Sequence, residues 1–223
     1  AMGIRCGFPL LHNWMQDAYP KASITGTVIL ASFTTKFAIY ALARGFEGVD
    51  ILIWVGAIMT CFPVFFAVVE NDLRRVLAYS LNNQLGFMVA GIGIGGALAM
   101  NGVVGQVFVH VIFKGLLFMS IGAVMYRTGT AKASELGGLF RSMPFTAVLC
   151  LIGAGSIAAF PLLAAFVTKA MILAAALEEH LWVPFAMMLF ASAGVMEHSG
   201  IKVPHFTFFA HDSGRRVKEA PWN

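Results

Sequence analysis

From Ile51 to Val69 the chain runs without one charged side chain, and about 20 apolar residues in succession are what a helix needs to cross the hydrocarbon core of a bilayer. The bilayer interior offers peptide groups no hydrogen-bond partner, so a run of this kind folds as helix. It is one of several. Ile24–Ala43, Val76–Met100, Gly102–Tyr126 and 145–177 repeat the pattern, and Leu181–Val195 is a shorter version. Composition agrees, with 59% hydrophobic and 12% charged residues among 223, where ordinary soluble domains carry about 25% charged. The sequence predicts an all-α polytopic membrane protein with about six full transmembrane helices plus a partial N-terminal one.

Between the runs, residues 1–15 read as the end of a helix broken around Gly7 and Pro9, and Asn13–Ala22 as a polar loop. The run 145–177 is too long for one straight crossing and is interrupted by Gly153, Gly155, Ser156 and Pro161. Proline removes a backbone donor and kinks a helix, which predicts two half-helices with an unwound middle. Residues 198–223 read as a solvated tail or loop, histidines His198, His205 and His211 included. Gly91, Gly93 and Gly96 match GxGxxG, but within an apolar run the better account is helix packing, with Gly91 and Gly95 as a small-xxx-small pair.

The formal charge of +4 does not mark a nucleic-acid partner, because the basic residues lie in short loops where they set orientation. Alternation of sides places Lys21, Arg74, Arg75, Arg127, Lys132, Arg141, Lys202, Arg215, Arg216 and Lys218 on one face, ten against Arg44 alone. By the positive-inside rule that face, with the C-terminal tail, is cytoplasmic. Cys6, Cys61 and Cys150 lie far apart in apolar segments, so neither a disulfide framework nor a metal site is expected, and no cofactor is.

Four of the fifteen basic residues remain, Arg5, Lys36, Lys114 and Lys169, all inside apolar segments. Lysine at the bilayer centre costs about 2.5 to 3.5 kcal/mol on insertion scales, so it persists where it faces protein or trapped water. Near a helix end such a side chain can snorkel to the interface, an account that suits Lys36 and Lys114 poorly because each is far from its nearest loop. Gln106, His110 and Lys114 are spaced by four, which stacks them on one helix face roughly 6 Å apart. His110 alone reads as a packed core histidine, and Gln106 as a packing and hydrogen-bonding residue. With a lysine one turn away, the ladder points to an intramembrane proton path.

The stretches His12-Asn13-Trp14-Met15-Gln16-Asp17-Ala18-Tyr19-Pro20, Thr34-Thr35-Lys36, Glu70 to Ser80, His110-Val111-Ile112-Phe113-Lys114 and Ser156 to Lys169 resemble the antiporter-like proton-translocating subunits. That family is shared by Mrp-type multisubunit cation/proton antiporters and the membrane arm of respiratory complex I. Glu70 to Gly95 most resembles the D subunits of the Mrp type.

The resemblance implies a fold of two inverted five-helix repeats, each with a broken helix. Residues 1–44 would end the first repeat and 51–197 form the second, a fragment of a larger subunit or a degenerate copy. It implies a proton relay through Lys36, His110, Lys114 and Lys169, with Arg5 at the charge position of the first broken helix. Arginine keeps its proton, so Arg5 would bias charge rather than shuttle it. The implied partners are other membrane subunits, protons, Na+ and the lipid bilayer, in a bacterial inner membrane. Two alternatives stay open: a membrane subunit of an NADH:quinone oxidoreductase or related redox-driven pump, and a transport-inactive scaffold.

Overall fold

The computed structural model describes residues 1–221, and among them every regular element is helical. The α-helices are α1 (Met2–Cys6), α2 (Asn13–Lys21), α3 (Ile24–Ile29), α4 (Thr35–Phe46), α5 (Ile51–Val69), α6 (Leu73–Ile94), α7 (Gly96–Thr128), α8 (Pro144–Ile157), α9 (Ala164–Glu178) and α10 (Trp182–Val195). A π-helical turn, Leu30–Thr34, makes α3 and α4 one continuous run. Two more, Met196–Lys202 and His205–Phe209, carry the α10 direction onward.

Three helical runs among the described residues, Ile24–Phe46, Ile51–Val69 and Gly96–Thr128, are long and apolar enough to cross a membrane. α6 has the length but carries Arg74, Arg75, Asn82, Asn83 and Gln84, and it is buried along nearly all of it. It is the central post, with α5 on one side and α7 on another. Glycines set the α5–α6 distance: a Cβ on Gly56 would lie 2.3 Å from Ala90 N, one on Gly86 2.7 Å from Thr60 N, and one on Gly93 2.5 Å from Ile53 N.

Polarity is distributed as a bilayer demands. On α7, Val104, Phe108 and Ile112 are 64%, 69% and 58% exposed, whereas Gln106, His110 and Lys114 are 0% exposed. Phe37, Phe65, Phe66 and Trp54 also point outward, while Asn82, Asn83 and Gln84 are sealed inside. Water would reverse this pattern; hydrocarbon favours it, because only protein or trapped water can satisfy the inner groups.

Helix ends follow local chemistry. Asp72 accepts hydrogen bonds from Arg74 N (2.8 Å) and Arg75 N (3.3 Å) at the start of α6, and Pro144 opens α8. Gly95 and Gly96, both in the left-handed region at φ 69° and 72°, divide α6 from α7. That moves the expected boundary: Ala97–Met100 belong to α7, and Gly95 is a helix break rather than half of a packing pair.

Two further expectations change. Asn13–Ala22 is not a loop, since α2 buries Met15, Gln16 and Tyr19 on one face, a helical spacing masked in the sequence by Asp17 and Pro20. Nor does a solvated tail begin at 198. Helical structure extends to Phe209, with His198, Ser199, Thr207 and Phe208 buried. Beyond Phe209 the chain is irregular, and the last two residues of the expected tail, Trp222 and Asn223, lie outside the described residues.

The basic residues gather at one end. Arg75 pairs with Asp17 (3.2 Å) and Glu70 (3.5 Å), and Lys202 Nζ donates to the carbonyls of Ala67, Val68 and Glu70 (3.0, 2.6 and 2.7 Å), closing the C-terminus of α5. The last residues return beneath the 129–143 loop. Glu219 Oε1 accepts from Phe145 N (2.7 Å) and Thr146 N (3.2 Å) at the start of α8, and Arg216 pairs with Asp212 at 2.6 Å.

Candidate functional site

Two departures from α-helix place two lysines. The π-helical turn at Leu30–Thr34 packs on α7, where a Cβ on Gly115 would lie 3.3 Å from Ser32 Oγ. A π-turn releases carbonyls from the i→i−4 ladder, and Lys36 Nζ donates to one beside it, Ala31 O, and to Thr35 Oγ1 at 3.3 Å. The second departure is the expected break, which runs from Ala158 to Leu163 between α8 and α9. Ala159 and Leu162 there adopt φ 58° and 74°, a left-handed conformation costly to residues with a Cβ. Lys169 Nζ reaches back across the break to Ile157 O at 2.9 Å and lies 5.2 Å from the centroid of the Phe87 ring. An ammonium on a carbonyl at a helix C-terminus meets the negative end of its dipole.

Lys114 has no such anchor. It stands in the unbroken α7, and its Nζ is fully buried with no hydrogen-bond partner among the described residues, as are both ring nitrogens of His110. The contacts recorded are to aromatic rings, Phe118 at 5.7 Å from Nζ and Phe113 at 5.1 Å from the imidazole. Lys36 and Lys169 are within electrostatic reach of both groups. No Asp or Glu is buried among the described residues, so the interior holds cations and proton acceptors without a neutralising carboxylate.

A neutral chain of amides runs beside them. Asn83 Nδ2 donates to Thr60 O (2.6 Å), Gln84 Nε2 to Asn83 Oδ1 (3.0 Å), Gln106 Nε2 to Gln84 Oε1 (2.9 Å), and Thr168 Oγ1 to Gln106 Oε1. It links α5, α6, α7 and α9 and ends one residue before Lys169. Gln106 thus belongs to this chain.

The structure therefore brings Lys36, His110, Lys114 and Lys169 into one buried region. It leaves Arg5 out, exposed on α1 and without a side-chain partner among the described residues. It adds His198, buried at 0% exposure and within electrostatic reach of Lys114 and Lys169. The sequence did hold a signal for it. Ile201, Val203, Phe206 and Phe208 continue an apolar pattern past Glu197, but Glu197, Lys202 and Pro204 hide the periodicity.

Residues 1–196 match the family described as NADH:quinone oxidoreductase/Mrp antiporter, TM. The chain is 37% identical over 186 residues to the D subunit of the Na(+)/H(+) antiporter of Alkalihalophilus pseudofirmus, covering 78% of this chain and 37% of that protein. It is 32% identical over 212 residues to the L subunit of the F(420)H(2) dehydrogenase of Methanosarcina mazei, covering 86% and 31%. A chain in the structure of the Mrp complex from a Dietzia species superposes with TM-score 0.90 at 27% identity, covering 94% of this chain and 41% of that one. The chain thus spans roughly a third of the curated relatives it matches. With buried lysines just after a π-turn, on an unbroken helix and after a helix break, and with nearly its whole length matched, this chain belongs to the NADH:quinone oxidoreductase/Mrp antiporter transmembrane family.

Proposed function

We propose that this chain is the proton-translocating part of a membrane subunit of a multisubunit monovalent cation/proton antiporter, similar to the D subunits of the Mrp type. The observation that carries the reading is the sealed position of Lys114 Nζ and both His110 nitrogens without a protein partner among the described residues. Buried polar groups are nearly always hydrogen-bonded, so these are groups for water to reach and for protons to enter and leave. Lys36 and Lys169, fixed on main-chain carbonyls, flank them. With no buried carboxylate among the described residues to neutralise the set, a proton arriving at one site disfavours protons at its neighbours. Charge then moves stepwise along Lys36, His110 with Lys114, and Lys169. Arg5, exposed on α1 and outside the buried region, takes no step in this relay.

On this reading residues 1–44 end one inverted repeat and 51–197 make the other. The basic end faces the cytoplasm of a bacterial cell, the protein sits in the inner membrane, and the exposed apolar faces meet lipid and other membrane subunits. The exchanged ion is a monovalent cation, Na+ in the name of the similar D subunit.

A second reading is favoured by the 32% identity to a dehydrogenase subunit: the same relay driven by electron transfer. Copurification separates them, since a redox complex would bring flavin- or quinone-bearing subunits and an antiporter only membrane subunits. The relay itself is tested with Lys114→Ala in the full-length subunit and assembled complex, in vesicles. Proton movement should fall about 100-fold with assembly intact. An unchanged rate would leave the chain a scaffold.

A further inference from the structure

Beyond the four relay positions, one buried histidine has no role in the proposed relay. His198 lies on the π-helical segment Met196–Lys202, fully buried, with Nδ1 2.9 Å from Ser199 Oγ and Nε2 sealed without a partner among the described residues. That segment is seated on the break. A Cβ on Gly200 would lie 3.1 Å from Ala158 Cβ and 3.8 Å from Ala154 O, and Ala158 directly follows Ile157, whose carbonyl holds Lys169. Four residues on from His198, Lys202 reaches the basic end and caps α5. The segment therefore spans from the carbonyl that anchors Lys169 to the polar end of the bundle.

We infer that His198 is a proton-exchanging residue joining the Lys169 and Lys114 region to the end of the bundle that carries Lys202 and Glu70. The inference rests on the proton-relay reading above and names the exit that reading lacks.

With its hydrogen on Nδ1 and donated to Ser199 Oγ, the ring leaves the sealed Nε2 lone pair free to accept a proton. A proton leaving the Lys169 or Lys114 ammonium through water forms a neutral amine and an imidazolium. The imidazolium then releases its Nε2 proton to water at the polar end and returns to its starting tautomer. The charged groups within reach are Lys114 and Lys169 from α7 and α9, and Lys202 from its own segment, which also carries the exposed Glu197. The other packed elements carry Cys61 on α5, Arg74, Arg75 and Tyr79 on α6, Cys150 on α8 and His205 on the last π-turn, and no carboxylate.

The test is proton movement by the assembled complex in vesicles, measured across pH for His198→Gln, His198→Asn and Ser199→Ala. Glutamine and asparagine keep a polar group of related size but do not carry a proton. Both should lower the rate about 10-fold and flatten its pH profile, with assembly intact, while Ser199→Ala changes the rate less than either. If Lys114→Ala stops proton movement and the two His198 variants, assembled, keep the wild-type rate and pH profile, the exit assignment is overturned and the relay stands. If neither Lys114→Ala nor the His198 variants alter the rate, both fall. Loss of assembly in both His198 variants would make the residue a packing element and overturn the assignment.

Discussion

Lys169 and Lys114 are both buried ammonium groups at mid-bundle, yet the helices that carry them differ. α9 begins after an irregular break, and Lys169 bonds back across it to a carbonyl of the preceding half-helix. α7 runs unbroken for 33 residues, and Lys114 Nζ has no hydrogen-bond partner among the described residues. A break in a membrane helix therefore does two things: it frees backbone dipoles and it gives a cation a fixed address. The unbroken helix offers its lysine neither, and under the proposed relay the state of Lys114 is set by water, by protons and by its cationic neighbours.

Arginine substitutions sharpen this contrast most. Guanidinium keeps its proton, so Lys169→Arg and Lys114→Arg should each lower proton movement in vesicles about 100-fold. Their stabilities should separate. At position 169 the guanidinium keeps an acceptor in Ile157 O, whereas at position 114 it is a buried charge without one, a state that costs several kcal/mol; melting of the purified complex should fall for Lys114→Arg and not for Lys169→Arg. Equal melting would break the distinction between an anchored and an unanchored site.

The wall that holds the amide chain comes next. Gly86→Val would push a side chain into the backbone of α5, and should cost about 1–3 kcal/mol in unfolding and slow proton movement through displacement of Asn83 and Gln84. Gly45→Val, where nothing lies within 4 Å, tests that the effect is local and should be far milder.

At the break, a smaller effect of opposite sign is expected. Ala159→Gly relieves a left-handed residue at φ 58° and should stabilise by about 1 kcal/mol. Ala99→Gly in the regular helix α7 should destabilise by about 1 kcal/mol. Two losses would mean that the break is not strained.

The smallest effect lies outside the membrane. Hydrogen bonds from the Arg216 guanidinium and Gly214 N hold the Asp212 carboxyl below the usual carboxylate range. A carboxyl lowered in the native state stabilises above its unfolded value, and that contribution is lost as pH falls through the native one. Asp212→Asn should therefore quicken hydrogen exchange in 210–221 at neutral pH, and leave it unchanged in strong acid, where wild type has lost the same contact.

The break was legible because Gly153, Gly155, Ser156 and Pro161 interrupt an apolar run, and the ladder because spacing by four needs no tertiary knowledge. Lys36, Lys114 and Lys169 stood out because charge is rare in such runs. What sequence withheld was long-range. The bond from Lys169 to Ile157 O crosses twelve residues and depends on how the break folds. The π-turn under Lys36 has no compositional mark. α2 was hidden because Pro20 and Asp17 read as loop residues while Met15 and Tyr19 supply the buried face. His198 was missed because Glu197 and Lys202, which reach the polar end, made a buried helix look like tail.

A map of the intact complex fine enough to resolve water tests the central claim most directly. Ordered water is expected within hydrogen-bond distance of Lys114 Nζ and His110, continuing toward Lys36 and Lys169, with Lys169 Nζ on Ile157 O. A dry apolar wall around Lys114, or its ammonium turned outward to lipid, would contradict it.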